Sequence, residues 1–102
     1  MSNAQEQIKR TVESGDVVLF MKGTPDFPQC GFSGRAVHIF RACNTEFSTV
    51  NVLADDEIRQ GIKQYSNWPT IPQLYIKGEF VGGSDILLEM YEKGELQQRL
   101  TA

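Results

Sequence analysis

The apolar positions of this chain fall into short runs with clear periods, and they predict an alternation of helices and strands. Residues 5–14 place Ile8 and Val12 four apart among polar neighbours, which predicts a short amphipathic helix stopped by Gly15. Val17-Val18-Leu19-Phe20-Met21 follows without a polar break, the pattern of a central strand buried on both faces. Gly23-Thr24-Pro25-Asp26-Phe27-Pro28 carries two prolines three apart and reads as a loop. From Gly31 to Cys43 the apolar positions Phe32, Ala36, Phe40 and Cys43 recur at helical spacing, with Ile39 beside them. That segment predicts a helix with Cys30 at its N-terminal edge.

Residues 47–52 alternate as a second strand. Asp55-Asp56-Glu57 then opens a helix whose inner face is Ile58, Ile62 and Tyr65, acidic residues being favoured at the positive end of the helix dipole. Trp68-Pro69-Thr70-Ile71-Pro72 is a rigid loop. Residues 73–77 and 79–81 flank Lys77-Gly78 as a β-hairpin. After Gly82-Gly83, Ser84 is expected to cap a helix with Ile86, Leu87, Met90 and Tyr91 on one face. Gly94 interrupts that helix, and residues 95–100 continue for another turn or two. A strand–helix–strand unit implies a parallel pair, and the closing hairpin adds antiparallel strands to the same sheet. The expected fold is therefore α/β, a mixed four-stranded sheet with helices on both faces.

The bulk properties narrow the function. The 102 residues suit a single domain, taken as residues 5–102, with Met1 to Ala4 set aside as a cloning remnant. A net charge of −3 argues against a nucleic-acid backbone as the main partner. No apolar run approaches the roughly 20 residues that cross a bilayer, and no charged-then-apolar leader opens the chain. No membrane role and a cytoplasmic location are the expectations. Two cysteines, with enough apolar residues to build a core unaided, do not make a disulfide framework.

Those two cysteines differ in kind. Cys30 sits where free backbone N–H groups at a helix start would favour the thiolate, and Lys22, closing the central strand, could add positive charge nearby. Cys43 shares the apolar stripe of Ala36 and Phe40 and reads as a buried, inert residue. The helix between them holds the sulfurs about 20 Å apart, too far for a disulfide. Ser33 stands where a Cys-x-x-Cys protein keeps its second thiol, and a hydroxyl cannot resolve a mixed disulfide. Whatever Cys30 does, it needs a sulfur from elsewhere. Trp68 reads as packing, and His38 as a helix-face residue.

Three motifs, Lys22-Gly-Thr-Pro-x-x-Pro-x-Cys30-Gly-Phe-Ser33, Trp68-Pro-Thr-Ile-Pro-Gln73 and Gly82-Gly-Ser-Asp85, occur in one order. With them the chain resembles the monothiol glutaredoxins of the Cys-Gly-Phe-Ser class, in particular the short single-domain bacterial members, over residues 5–100. The resemblance implies a thioredoxin-like fold and a glutathione site. It makes Cys30 the catalytic or ligand sulfur, with Lys22 and Arg59 for one carboxylate of the tripeptide. Ile71 comes before a proline, Pro72, that the resemblance makes cis, and its backbone would pair with the extended peptide. Gly83, Ser84 and Asp85 would hold the γ-glutamyl end, Asp85 through the ammonium and the helix N–H groups through the other carboxylate. Some relatives carry cysteine at position 84, and the serine here removes that auxiliary thiol.

The resemblance also implies a [2Fe–2S] cluster. Such a cluster usually takes four thiolates, and this chain offers one accessible sulfur. Two Cys30 side chains and two glutathiones would complete the set in a homodimer. A BolA-like protein is a further implied partner, and apo iron–sulfur proteins the recipients. Two functions stand against each other: a cluster carrier, and a glutathione-dependent thiol–disulfide oxidoreductase that uses free glutathione in place of a second cysteine. A pure interaction module would leave the poised cysteine unexplained.

Overall fold

In a computed structural model, residues 3–101 are described. Helices α1 (Asn3–Glu13), α2 (Gly31–Ala42), α3 (Asp56–Ser66), α4 (Ser84–Glu92) and α5 (Glu95–Thr101) alternate with strands β1 (Val17–Met21), β2 (Ser48–Asn51), β3 (Gln73–Ile76) and β4 (Glu79–Gly82). The sheet runs β2-β1-β3-β4, with β1 parallel to β2 and antiparallel to β3, and β3 antiparallel to β4. This is the expected mixed sheet, and it is a thioredoxin-like α/β architecture.

The uninterrupted apolar run of β1 is explained by its central place, since all five of its residues are buried. Val17, Leu19 and Met21 face one layer, where α2, α4 and α5 contribute Ala36, Phe40, Leu87 and Leu96. Val18 and Phe20 face the other, where α1 and α3 contribute Ile8, Val12, Ile58 and Ile62. Helices α1 and α3 approach closely at Gly61, where a β-carbon would stand 3.0 Å from the Ile8 side chain.

Some boundaries differ from the expectation. Of the stretch set aside as a remnant, Met1 and Ser2 lie outside the described residues. Asn3 opens α1, and Ala4 packs against the core. The second strand is shorter than 47–52, because Asn51 bends the chain into a 3₁₀ turn at Val52–Ala54. Its side-chain carbonyl accepts the Leu53 N–H at 3.0 Å, the local bond through which asparagine competes with a strand ladder. Phe32 was placed on the buried stripe of α2 but is 55% exposed, while Val37 takes a core position beside Ile39. Phe32 lies in the first turn of α2 on the side away from the buried Ser33, where it lines a groove rather than the core.

Candidate functional site

The site begins where β1 ends. Gly23 has φ +90, and a β-carbon there would stand 2.5 Å from the Phe27 carbonyl oxygen, so only glycine fits. The loop that follows folds back on itself, with the Gln29 N–H donating to Lys22 O at 2.9 Å and the Phe27 N–H to Thr24 O at 3.0 Å. The Gly23 N–H donates to Asn51 Oδ1 at 2.9 Å, which ties the loop to the end of β2. Cys30 emerges from this loop in extended conformation, as the N-cap of α2.

Ser33 is fully buried, and its Oγ accepts the Lys22 N–H at 3.0 Å. The residue that denies Cys30 a second thiol therefore also bolts the start of α2 to the end of β1. The state of Cys30 follows from its neighbours. Burial alone pushes its thiol up, but the backbone N–H groups of Ser33 and Phe32, the Ser33 hydroxyl and the Lys22 ammonium outweigh it, and the pKa falls below the ordinary cysteine value. No bond of ordinary geometry closes the cap, so the N–H groups remain free to face the sulfur. Cys43 is the C-cap at the far end of α2, partly buried against the core, and burial raises its pKa. Both cysteines are free.

The opposite wall is the Trp68–Pro72 loop. The Ile71–Pro72 peptide bond is cis. Gln73 follows it, fully buried, and its amide donates to Trp68 O at 3.1 Å and Thr70 O at 3.2 Å while accepting the Tyr75 hydroxyl at 3.2 Å. One buried side chain thus fixes the course of the loop. Trp68 is 40% exposed; it packs on the Phe80 ring and also lines the groove, where packing alone was expected.

The third wall comes from Gly82-Gly83 and α4. A β-carbon at Gly83 would press to 3.2 Å from Pro72 O, so glycine lets this segment lie against the cis-proline loop. Ser84 was expected to cap α4, but the N-cap is Gly83 and no side chain caps that end. Ser84 occupies the first helical position, and its Oγ is buried without a partner. Asp85 is exposed and lies 3.8 Å from Arg35, a loose ion pair that leaves it available.

These walls enclose a groove of about 480 Å³. Lys22, Cys30, Arg59, Ile71, Pro72, Gly83, Ser84 and Asp85 all line it, so every residue assigned from the sequence comes to one place. Phe32, Lys63, Trp68, Thr70 and Ile86 join them. The Arg59 Nε is buried without a partner, like the Ser84 Oγ. Lys63 was missed, although its place four residues after Arg59 sets it on the same helical face. Gln73 was read as part of a motif without a role. His38 is exposed on α2, as expected.

The chemistry available is that of one activated thiolate beside a cationic groove with two unpaired buried polar atoms. Among the described residues, no three His, Cys, Asp or Glu side chains cluster to hold a metal ion. No helix among them is long and apolar enough to cross a membrane.

The glutaredoxin family model matches residues 17–81, more than half of the chain. The chain belongs to the glutaredoxin family. This glutaredoxin is 58% identical over 94 residues to an uncharacterized monothiol glutaredoxin ycf64-like protein of Synechocystis, covering 92% of this chain and 88% of that one. Several longer relatives are matched over only part of their length, 20% of it in one case. The solution structure of reduced poplar apo GrxS14 superposes with a TM-score of 0.82 at 54% identity, covering 95% of this chain and 89% of that one. A crystal structure of a buckwheat glutaredoxin–glutathione complex superposes with a TM-score of 0.85 at 26% identity, over 96% of this chain and 87% of that one. The single thiol at position 30, followed by Ser33, agrees with the monothiol names of its relatives.

Proposed function

We propose that this monothiol glutaredoxin binds glutathione in the groove and uses the paired sulfurs of Cys30 and glutathione to carry a [2Fe–2S] cluster to recipient proteins. The observation that carries the reading is the single low-pKa thiolate set in a groove built for a small zwitterion. Lys22 and Arg59 offer cations to one carboxylate, and the uncapped N-terminus of α4 offers N–H groups to the other. Asp85 offers an anion to the ammonium, and the unpartnered Ser84 Oγ and Arg59 Nε gain partners that the free protein withholds. The glutathione complex of the buckwheat relative supports this part.

The cluster is cargo in this reading. One accessible cysteine supplies one of four ligands, so two chains and two glutathiones make the set. Ligands that exchange as free small molecules favour transfer over permanent residence. A homodimer is the expected loaded form, and a BolA-like protein an alternative second subunit. The competing reading, deglutathionylation of protein thiols, is favoured by the same lowered pKa, because free glutathione can resolve the intermediate.

Anaerobic reconstitution with iron, sulfide and glutathione separates the two. The carrier reading expects a brown dimer whose formation needs glutathione. A colourless monomer that turns over glutathionylated peptide briskly would replace it with the oxidoreductase. Cys30→Ser abolishes either activity, and Cys43→Ser leaves both in place.

A further inference from the structure

The groove carries more positive charge than glutathione uses. Among the described residues, four ion pairs occupy Arg35, Arg41, Lys93 and Arg99. Lys22, Arg59 and Lys63 stand outside these pairs and converge on one groove, in a chain whose net charge is −3. With one carboxylate of the tripeptide at the start of α4 and the other at Lys22 and Arg59, Lys63 is left without an anion. It lies one helical turn past Arg59 on α3, its backbone carbonyl accepts the backbone N–H of Trp68 at 3.2 Å, and both residues line the groove.

The apolar surface is also in excess. Of the five exposed large apolar side chains among the described residues, Phe32, Trp68 and Ile86 rim this groove. A small polar tripeptide does not require three exposed apolar side chains, whereas a docking protein surface does.

We propose that Lys63 and Trp68 form a subsite beyond the tripeptide that selects partner proteins carrying an acidic residue beside the cysteine presented to Cys30. The proposal rests on the groove being a glutathione site and on the thiol–disulfide exchange that the same thiolate supports. With a glutathione-linked partner, the Cys30 thiolate attacks the glutathione sulfur, the disulfide between glutathione and partner breaks, and the partner cysteine leaves as its thiolate. A second glutathione thiolate then cleaves the Cys30–glutathione disulfide, which yields oxidised glutathione and restores the Cys30 thiolate. An acidic neighbour meets Lys63 during the first step. A basic neighbour meets the uncompensated Lys63 instead.

The test uses three synthetic peptides, each with one glutathionylated cysteine flanked by Glu, Ala or Lys, and follows release of the peptide thiol in excess glutathione. Wild-type protein is expected to favour the Glu peptide over the Ala peptide in kcat/KM by about twofold to fivefold, the size of an exposed ion pair. Lys63→Gln is expected to level the peptides, and Lys63→Glu to invert the order. Calorimetry with free glutathione is expected to give the same affinity for Lys63→Gln as for wild type. Equal rates on all peptides with the wild-type protein overturn the proposal. So does a Lys63→Gln protein that binds glutathione more weakly and keeps the Glu preference, because Lys63 then serves the tripeptide. Wild-type protein that binds no free glutathione would remove the glutathione site and the subsite with it, and that failure shows in the calorimetry alone.

Discussion

Gln73 can be replaced by methionine with little change in volume, which makes Gln73→Met a clean removal of its polar contacts. The side chain is fully buried and bonds Trp68 O, Thr70 O and the Tyr75 hydroxyl. Tyr75 is 1% exposed, so its hydroxyl would lose its glutamine partner out of reach of water, with the Ser66 hydroxyl left beside it, at about 1–2 kcal/mol. Trp68 and Thr70 are exposed, and water can replace the amide at their carbonyls, so each adds a smaller amount. The sum is about 2–3 kcal/mol, which for a domain near 100 residues lowers Tm by roughly 8–15 °C. The loop that the amide fixes also lines the groove, and reordering it on binding costs about 0.5–1.5 kcal/mol. Glutathione affinity should therefore fall by about threefold to tenfold. Thermal unfolding followed by circular dichroism and calorimetry with glutathione measure the two effects. An unchanged Tm refutes the hydrogen-bond account. A lowered Tm with unchanged glutathione affinity refutes the account of Gln73 as the residue that shapes the groove.

Ser33→Ala removes a hydroxyl that favours the Cys30 thiolate, so the titration of thiolate absorbance at 240 nm should move to higher pH. An unmoved or lowered titration would leave the backbone N–H groups and Lys22 as the whole cause. Gly23→Ala forces a side chain into a positive φ and against the Phe27 carbonyl. A loss of about 2–4 kcal/mol in urea unfolding is expected, and Cys30 alkylation kinetics should change with it. The Tyr75 phenol is pushed up to about 12, chiefly by burial. The unfolded chain releases its proton near pH 10, so this contribution to stability is complete below pH 10 and is lost as pH rises toward 12. Tyr75→Phe should flatten that part of the stability–pH curve.

Much of the architecture was legible because the apolar periods are unambiguous. Five consecutive apolar residues in β1 can be buried only between two helical layers, and both layers are present. Seven of the eight candidate site residues lie in three motifs that the fold brings to one groove, and Arg59, which also lines it, was assigned by the resemblance alone. Phe32 was misplaced because in the first turn of α2 the buried position is the small polar Ser33, which leaves the apolar Phe32 on the groove, and apolar periodicity cannot show that. Ser84 was misread because a serine before an apolar run signals a cap, yet Gly83 takes the extended N-cap conformation that sets Ser84 one position inside. Lys63 and Gln73 were passed over because a helix-surface lysine and a strand-start glutamine have ordinary explanations.

Those two residues show what reading motifs for ligand contacts omits. Matching residues to a tripeptide says which atoms can meet it, and gives no role to the Gln73 amide that closes the second motif or to the cation at Lys63. Gln73 answers a demand of the backbone, because the turn from Trp68 to Pro72 presents two carbonyls that one buried amide satisfies together. Lys63 answers no such internal demand. It has no ion pair among the described residues, and the loop it supports through its carbonyl would be supported as well by any side chain at that position. It is half-buried and lines the groove together with Lys22 and Arg59. Its placement is accounted for in the complex we propose, where a partner brings Lys63 an anion of its own.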